Sequence, residues 1–289
     1  IGLRSLEIDE IFVYILLNVE IKLDVPNTKG QFLTHYAAKH NLHKTLKLLN
    51  AKNSNWDAVD ANGRFAIHIA CAEANVLTVK SLISINCDIN VPDANGSFPI
   101  HYSCKNNRIR STEVLLDNGA KINVFDRGGW LPIHYACQNL HKKFITLLVT
   151  KGAELNVPSP RGWMPLHLMC EEGCFDMAKL LMLHGADLNV LDGKRHLPIH
   201  YICEQGDVEM VKLMVTNGAK VDVPDKSVRF PIHYMCQNGD VDVVELLVAN
   251  GAKFDVVDVD GRLPIHYACD NYCHMYEILP EHYTGKYVS

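Results

Sequence analysis

The stretch that decides the fold is Leu131-Pro132-Ile133-His134-Tyr135-Ala136-Cys137, because close copies of it recur along the chain. Its histidine belongs to a series with a constant step of 33 residues: His35, His68, His101, His134, His167, His200, His233 and His266. Neither a sheet nor a barrel needs such regularity, whereas stacked identical units do. The sequence therefore predicts a repeat architecture with a period of 33 residues.

Each unit is predicted to contain two helices. Proline precedes most of the histidines by two residues, and it suits the first turn of a helix, where its missing N–H would be unpaired anyway. The second helix follows from apolar spacing, as in Val243, Leu246 and Leu247 at i, i+3 and i+4. It is predicted to end in a left-handed residue, glycine in five units and asparagine in two: Gly119, Gly152, Gly185, Gly218, Gly251, Asn53 and Asn86.

An extended loop then leads to the next unit and turns at a second series of glycines: Gly63, Gly96, Gly129, Gly162 and Gly261. Gly193 is displaced from this register, and the unit around Ser227 has no glycine in its turn. Because an ordinary side chain disfavours the left-handed conformation, these two turns are expected to differ in shape from the others.

Unit by unit, the chain resembles the ankyrin repeat, a loop followed by two antiparallel helices with a TPLH-like signature. The matching strings are FPIHYSC from Phe98, LPIHYAC from Leu131, MPLHLMC from Met164, LPIHYIC from Leu197, FPIHYMC from Phe230 and LPIHYAC from Leu263. The resemblance implies an all-α solenoid, in which right-angled units of a β-hairpin-like loop and a helix-turn-helix stack into a curved array. The family usually has threonine before the proline; the apolar residue found here is expected to pack between neighbouring turns instead.

The resemblance covers nearly the whole chain, which is expected to be a single array over 1–289. The predicted divisions are a partial repeat with only its second helix (1–25), full repeats (26–58, 59–91, 92–124, 125–157, 158–190, 191–223 and 224–256), a truncated repeat (257–280) and a tail (281–289). The helix of the partial repeat is expected to turn Ile8, Ile11, Phe12, Ile15 and Leu16 inward. Because the chain opens with Ile1 rather than methionine, we expect it to be a piece of a longer polypeptide.

Composition narrows the classes of function. A net charge of −5 argues against a nucleic-acid binder, which usually carries a basic footprint. The longest apolar stretch, 11–17, is too short to span a bilayer and lacks the flanks of a secretory signal. Seven of the ten cysteines follow the repeat register, which favours a reducing, cytoplasmic compartment over a disulfide framework.

The His-x-x-Cys pair could be read as a nucleophile with its base. Seven equivalent copies indicate a scaffold instead, with the histidine hydrogen-bonded to loop backbone and linking adjacent repeats. His266, Cys269, Cys273 and His274 have a spacing that could suit zinc, but two of the four simply follow the repeat. There is no phosphate-binding glycine loop and no dinucleotide fingerprint. The sequence therefore predicts no enzyme, no catalytic residues, no metal and no cofactor.

The remaining candidate for function is a binding surface. In ankyrin proteins of this kind the partner usually contacts the loop tips and the outer side of the first helices, which is the concave face. The residues that map there are Arg127, Trp130, Arg161, Trp163, Lys194, His196, Arg229, Arg262, Glu171 and Glu204. Trp130 and Trp163 occupy equivalent positions and are expected to stand about 10 Å apart, and tryptophan and arginine are frequent binding hot spots. The alternative is that each tryptophan folds onto its own hairpin and the arginines are merely solvated.

These observations favour a non-catalytic scaffold for protein–protein interaction, with no nucleic acid, membrane insertion or small-molecule substrate. The alternative is a structural component of a larger cytoskeletal or membrane-associated assembly, or the repeat region of a longer multidomain protein. Under either reading the expected partner is a protein, such as a cytoskeletal or other assembly subunit.

Overall fold

The computed structural model describes residues 2–73 and 76–270, with side chains from residue 8 onward. Throughout these ranges the regular secondary structure is helical, and short helices alternate with hydrogen-bonded loops. The chain divides into two compact units, Ile1–Glu154 and Leu155–Ser289, which are described separately. No helix in the described ranges is both long and apolar enough to cross a membrane.

In the first unit, the first helices of the repeats are α2 (Leu33–Lys39), α4 (Ala66–Glu73), α6 (Pro99–Lys105) and α8 (Pro132–Gln138). The second helices are α1 (Gly2–Asn18), α3 (His43–Ala51), α5 (Val76–Ser84), α7 (Ile109–Asp117) and α9 (Lys142–Thr150). Each first helix packs against the next first helix, and each second helix against the next second helix. This is the stacking that the repeat period predicts.

In the second unit, the first helices are α10 (Pro165–Glu171), α12 (Pro198–Gln205), α14 (Pro231–Asn238) and α16 (Pro264–Asp270). The second helices are α11 (Phe175–Leu183), α13 (Val208–Thr216) and α15 (Val241–Ala249). Proline occupies the first turn of α10, α12 and α14, as expected from its missing N–H. The first helices again stack one on the next.

The core of each unit is built from residues at equivalent repeat positions. Cys71, Cys104 and Cys137 are fully buried in the first unit, as are Leu115 and Leu148. Leu131 and Leu197, which precede the proline where the family has threonine, are also buried. The expectation that the apolar residue at this position packs inside is thus confirmed for these two leucines.

The left-handed residues at the ends of the second helices are confirmed, but the prediction for two loop turns is wrong. Gly119 has φ +87° and Asn53 has φ +55° at the helix ends. Arg195 and Val228, which stand where other units have glycine, adopt φ +62° and +58° and keep the same turn. Their amides bond back to Asp192 and Asp225 as the glycine amides of other turns do, so hydrogen bonding holds the turn against side-chain strain.

The predicted inward face of α1 is wrong for Ile8, Ile11 and Ile15, which are exposed, although Leu16 is buried as expected. The inward position is taken by Asp9, a carboxylate that is 1% exposed. Asp9 accepts hydrogen bonds from the backbone amides of Lys44 and Thr45, at 3.0 and 2.9 Å, and from the Thr45 hydroxyl at 2.6 Å. Because α3 has no cap from its own preceding residue, α1 is turned so that Asp9 caps it.

Candidate protein-binding surface

The repeated histidine is a structural link. Nδ1 of His101 accepts the backbone N–H of Phe98 at the helix start, at 3.0 Å. That contact places the ring proton on Nε2, which lies 3.1 Å from the carbonyl oxygens of Val124 and Trp130 in the next loop. His68, His167 and His200 repeat the arrangement. Each of these four histidines thus joins its own helix to the following loop, as predicted.

The ionisation of these histidines follows from their burial. Desolvation of the charged ring lowers the pKa of His68 and His200 to about 4, and nearby carboxylates and carbonyl oxygens offset this only in part. The pKa of His35, His101 and His167 is lowered for the same reason. Both nitrogens of each of these imidazole rings are bonded to backbone groups. The ring is therefore neutral and has a structural role.

An aspartate organises most of the loop tips. Asp93 Oδ1 accepts the backbone amides of Asn95 and Ser97, both at 2.8 Å, and Oδ2 accepts the hydroxyl of Tyr102 at 2.6 Å. One carboxylate therefore holds the turn with one oxygen and the first helix with the other. The pairs Asp126–Tyr135, Asp192–Tyr201 and Asp225–Tyr234 have the same geometry. This network is present in loops whose residue before the proline is apolar rather than threonine.

Three loops depart from this pattern. In the first, Asn27 takes the aspartate position: its Oδ1 accepts the backbone amides of Lys29 and Gln31, and its Nδ2 donates to the Tyr36 hydroxyl at 2.8 Å. In the loop of Asp60 the tyrosine position holds Ile69, and the Arg64 guanidinium takes Oδ2 instead, at 2.6 Å. In the loop of Ser159 the tyrosine position holds Leu168, so carboxylate and phenol are absent together. With both groups lost, neither a carboxylate nor a phenol is left without a partner in this loop.

In the first unit the tip residues Arg127 and Trp130 differ in their surroundings. The Trp130 ring is half-buried, 5.4 Å from the ring of Tyr135 and edge-on to His134 at 6.0 Å. Arg127 is exposed, and its backbone amide bonds to the carbonyl of Asn95 in the preceding tip at 3.0 Å. Trp130 therefore rests on its own repeat, while the Arg127 side chain projects into solvent.

In the second unit three predicted residues form one cluster, which we call the Trp163 cluster: Trp163, Lys194 and Glu171, together with Tyr201. Trp163 is half-buried with its ring 5.8 Å from that of Tyr201. Lys194 Nζ lies 4.9 Å from the centre of the Trp163 ring and 3.3 Å from Glu171 Oε1. A cation over an indole and beside a carboxylate fixes the ring in one position on an exposed edge.

Two further basic tip residues of the second unit, Arg229 and Arg262, lie on tyrosines. The Arg229 and Arg262 guanidinium groups lie 4.9 and 4.1 Å from the centre of the Tyr267 ring. Arg229 is also 3.7 Å from Asp258, and Arg262 is paired with Asp270. Both arginines therefore stabilise the repeat stack through these contacts, and only the outer edge of each guanidinium group is available to a partner.

His196 is half-buried, 5.0 Å from the Tyr201 ring, and its Nε2 lies 3.3 Å from Asp225. It too is largely committed to the framework. Three predicted charges are different: Arg127, Arg161 and Glu204 are exposed and have no side-chain partner within the described residues. The sequence reasoning missed Tyr201 and Tyr267 as supports, although tyrosine recurs in the repeat register at residues 102, 135, 201, 234 and 267.

The buried register cysteines and the zinc-like spacing were the candidates for chemistry in the sequence. Burial raises the pKa of the Cys137 and Cys170 thiols well above the ordinary value, so neither is poised as a nucleophile. His266 and Cys269 are exposed, whereas Cys273 and His274 lie outside the described residues. Among the described side chains, no group of three or more potential ligands is placed to hold a metal ion.

Comparison with known proteins agrees with this geometry. A family model described as ankyrin repeats (3 copies) matches residues 8–93, 34–126, 70–159, 125–192 and 199–287. These matches cover most of the chain, which therefore belongs to the ankyrin-repeat family. Among solved structures, the crystal structure of the human ASB11 ankyrin repeat domain matches with a TM-score of 0.56 and 23% sequence identity, over 71% of this chain and 92% of that chain. At that identity the likeness shows the fold.

A comparison with curated protein sequences finds no significant match. Ankyrin repeats are generally protein–protein interaction modules, and their fold is typically non-catalytic. The class of the protein is therefore an ankyrin-repeat solenoid.

Proposed function

We propose that this chain is a non-catalytic scaffold that binds a protein partner on its loop tips and on the exposed edges of its first helices. The Trp163 cluster carries the proposal. It presents a large aromatic ring, a cation and a carboxylate on one exposed edge, held by Tyr201 and by the 3.3 Å contact between Lys194 and Glu171. A rigid aromatic anchor loses little entropy on binding, which is why such residues dominate protein interfaces.

The partner is a peptide or a folded protein with acidic groups facing the tips. Arg127 and Arg161 are exposed without a side-chain ion pair in the described ranges, so an incoming carboxylate can reach them without breaking an existing contact. Glu204 lies exposed on the first-helix side and favours a basic group at that edge. Such complementary charge selects partners and orients them as they approach.

The proposed compartment is the cytoplasm. The nine described cysteines are free thiols, six of them fully buried in the repeat register, and they use packing rather than disulfides for stability. The alternative function, a component of a larger cytoskeletal or membrane-associated assembly, is supported by the exposed aliphatic side chains of α1.

The test is quantitative affinity capture from the native source with three forms of the chain. Trp130→Ala combined with Trp163→Ala is expected to lose the captured partner. Trp56→Ala is the matched control, because Trp56 is also half-buried but lies after α3, where its Nε1 bonds to Asn50 at 3.2 Å. Unchanged capture by the double variant would contradict the proposal. So would a collapse of its melting temperature, since the two aromatic pairs contribute only about 1–3 kcal/mol beyond the area they bury and their loss is expected to leave the chain folded.

A further inference from the structure

Helix α1 exposes a stripe of large apolar side chains on the side opposite its buried residues. Ile8, Ile11, Tyr14 and Ile15 are 43, 57, 68 and 40% exposed. Their helical spacing of i, i+3, i+6 and i+7 places them on one face, while Asp9 and Leu16 occupy the other. We call these four residues the α1 stripe. Together they expose roughly 450 Å² of surface, which is as much as the largest apolar patch of a typical monomer.

At the positions of Ile11 and Tyr14, most of the other second helices carry charged residues, with Leu77 and Thr146 as the exceptions. One repeat after Ile11 and Tyr14 come Lys44 and Lys47, and the same positions later hold further charged pairs: Arg110 and Glu113, Asp176 and Lys179, Glu209 and Lys212, Asp242 and Glu245. Lys44 and Lys47 are exposed even though α3 has stacked helices beside it. One more stacked repeat would therefore leave Ile11 and Tyr14 in water, whereas Ile15 has apolar, partly buried equivalents at Leu48 and Leu147. Ile11 and Tyr14 thus need another occupant.

We propose that this occupant is a second copy of the chain, with α1 packed antiparallel on α1 across a two-fold axis. Ile8, Ile11 and Ile15 have the a, d, a spacing of a helix–helix seam. A two-fold axis near Ile11 places Ile8 opposite Ile15 of the second copy, so the surface is complementary to itself, as an isologous interface requires.

The charges beside the stripe permit this pairing. Glu10 is the nearest described acidic group on the exposed side, and its Oε1 is bonded to Lys44 Nζ at 3.3 Å within the same chain. Each copy therefore brings a neutralised carboxylate at this flank of the described part of the helix. Two α1 stripes would bury about 900 Å² in total, at the low end of specific interfaces, so the dimer is expected to form and dissociate in the micromolar range.

The experiment is sedimentation velocity of the full chain from low to high micromolar concentration. The wild type is expected to shift from monomer to dimer across this range. Ile11→Lys combined with Tyr14→Lys gives α1 the charges of the later helices and is expected to remain monomeric, with an unchanged circular dichroism spectrum and melting temperature because both side chains are exposed. Leu77→Lys is the matched control: Leu77 is an exposed apolar residue at the register of Ile11 on α5, and this variant is expected to dimerise like the wild type.

A wild type that stays monomeric at every concentration overturns the proposal and leaves the stripe to a different partner. A dimer that persists in the double α1 variant, or that is lost in Leu77→Lys, overturns it as well. The tryptophan variants probe other residues, so this outcome is independent of the capture experiment.

Discussion

Tyr234 Oη lies 2.6 Å from Asp225 Oδ2, and the other oxygen of the same carboxylate accepts the backbone amides of Ser227 and Arg229 at 2.7 and 2.9 Å. Burial opposes ionisation of Asp225, but the hydrogen bonds from His196, Tyr234 and the Arg229 amide outweigh it and hold its pKa well below the ordinary range. Because the folded pKa is depressed, the stabilisation is present above the unfolded pKa and is lost as the pH falls through the folded value.

Tyr234→Phe is expected to lower the free energy of unfolding by about 1–3 kcal/mol, because a buried carboxylate loses a hydrogen-bond donor. Urea unfolding followed by circular dichroism measures the change. Tyr14→Phe is the control, since the Tyr14 hydroxyl is exposed and makes no hydrogen bond within the described residues. Equal effects of the two substitutions would show that the Asp225 bond contributes nothing to stability.

Acidification is expected to destabilise the protein well before its carboxylates protonate. The pKa of His68 and His200 is about 4 in the folded chain and near 6.5 when unfolded, so between these values only the unfolded state takes up the proton. Stability from this source is complete above pH 6.5 and falls as the pH drops towards 4, by about 2 kcal/mol per histidine at pH 5. Thermal melts at a series of pH values test this. A melting temperature that does not change between about pH 8 and pH 5 would contradict it.

Val228→Gly is expected to stabilise the protein by about 1 kcal/mol, because a β-branched residue there is held in the left-handed region. Val228 is partly exposed, so little packing is lost. Gly261→Val is the reciprocal variant: Gly261 has φ +72° and an added Cβ would meet no atom within 4 Å, so its loss of stability measures backbone strain alone. Chemical unfolding should give changes of opposite sign, and a destabilised Val228→Gly would refute the strain argument.

Asp9→Ala is expected to cost about 1–2 kcal/mol, because α3 loses its cap and the Thr45 amide and hydroxyl lose their acceptor. Glu10→Ala removes only the surface ion pair with Lys44 and should cost much less. Hydrogen exchange of the amides in the first turn of α3 locates the effect. Full protection of the Thr45 amide in the Asp9 variant would be incompatible with capping by α1.

Most of the fold could be predicted from the sequence because stacked repeats reuse one set of local rules. The 33-residue step, the proline of the first turn and the glycine after Leu115 and Leu148 predicted the helices and their ends. The link from His101 to the next loop followed from the same regularity. Repetition tests each rule several times within one chain, and that is why these predictions were confirmed.

The remaining features depend on contacts between side chains that apolar spacing does not reveal. The inward face of α1 was misassigned because a polar residue, Asp9, takes the buried position to cap another helix. The turns at Arg195 and Val228 kept their shape because aspartate hydrogen bonds outweigh the conformational cost. The Asp–Tyr pairs had a sequence signal, a nine-residue separation repeated in register, but it is visible only when both positions are followed together.

The residues of the candidate binding surface remain a prediction, although the side chains that hold them in place are now defined. Sequence position alone could not separate Arg161, which is exposed without a side-chain ion pair in the described ranges, from Lys194, which stands at the equivalent position one repeat later and lies over Trp163. The reason is that equivalent positions of the loop tips have different neighbouring side chains. Residues with equal repeat positions therefore differ in how much of each side chain is available for binding.

The bonds between successive repeats also constrain how such a chain can change in length. Asn90 reaches the amide of Lys121 and the carbonyl of Gly119, and Asn123 reaches the amide of Glu154 and the carbonyl of Gly152, always 31 and 29 residues ahead. If 33 residues are deleted, each of these asparagines meets the equivalent amide and carbonyl of the repeat that follows the deletion. If only a few residues are deleted, the asparagine no longer lies opposite these groups. Gene duplications and losses that span whole repeats are therefore tolerated, and the length of the chain changes by multiples of one repeat.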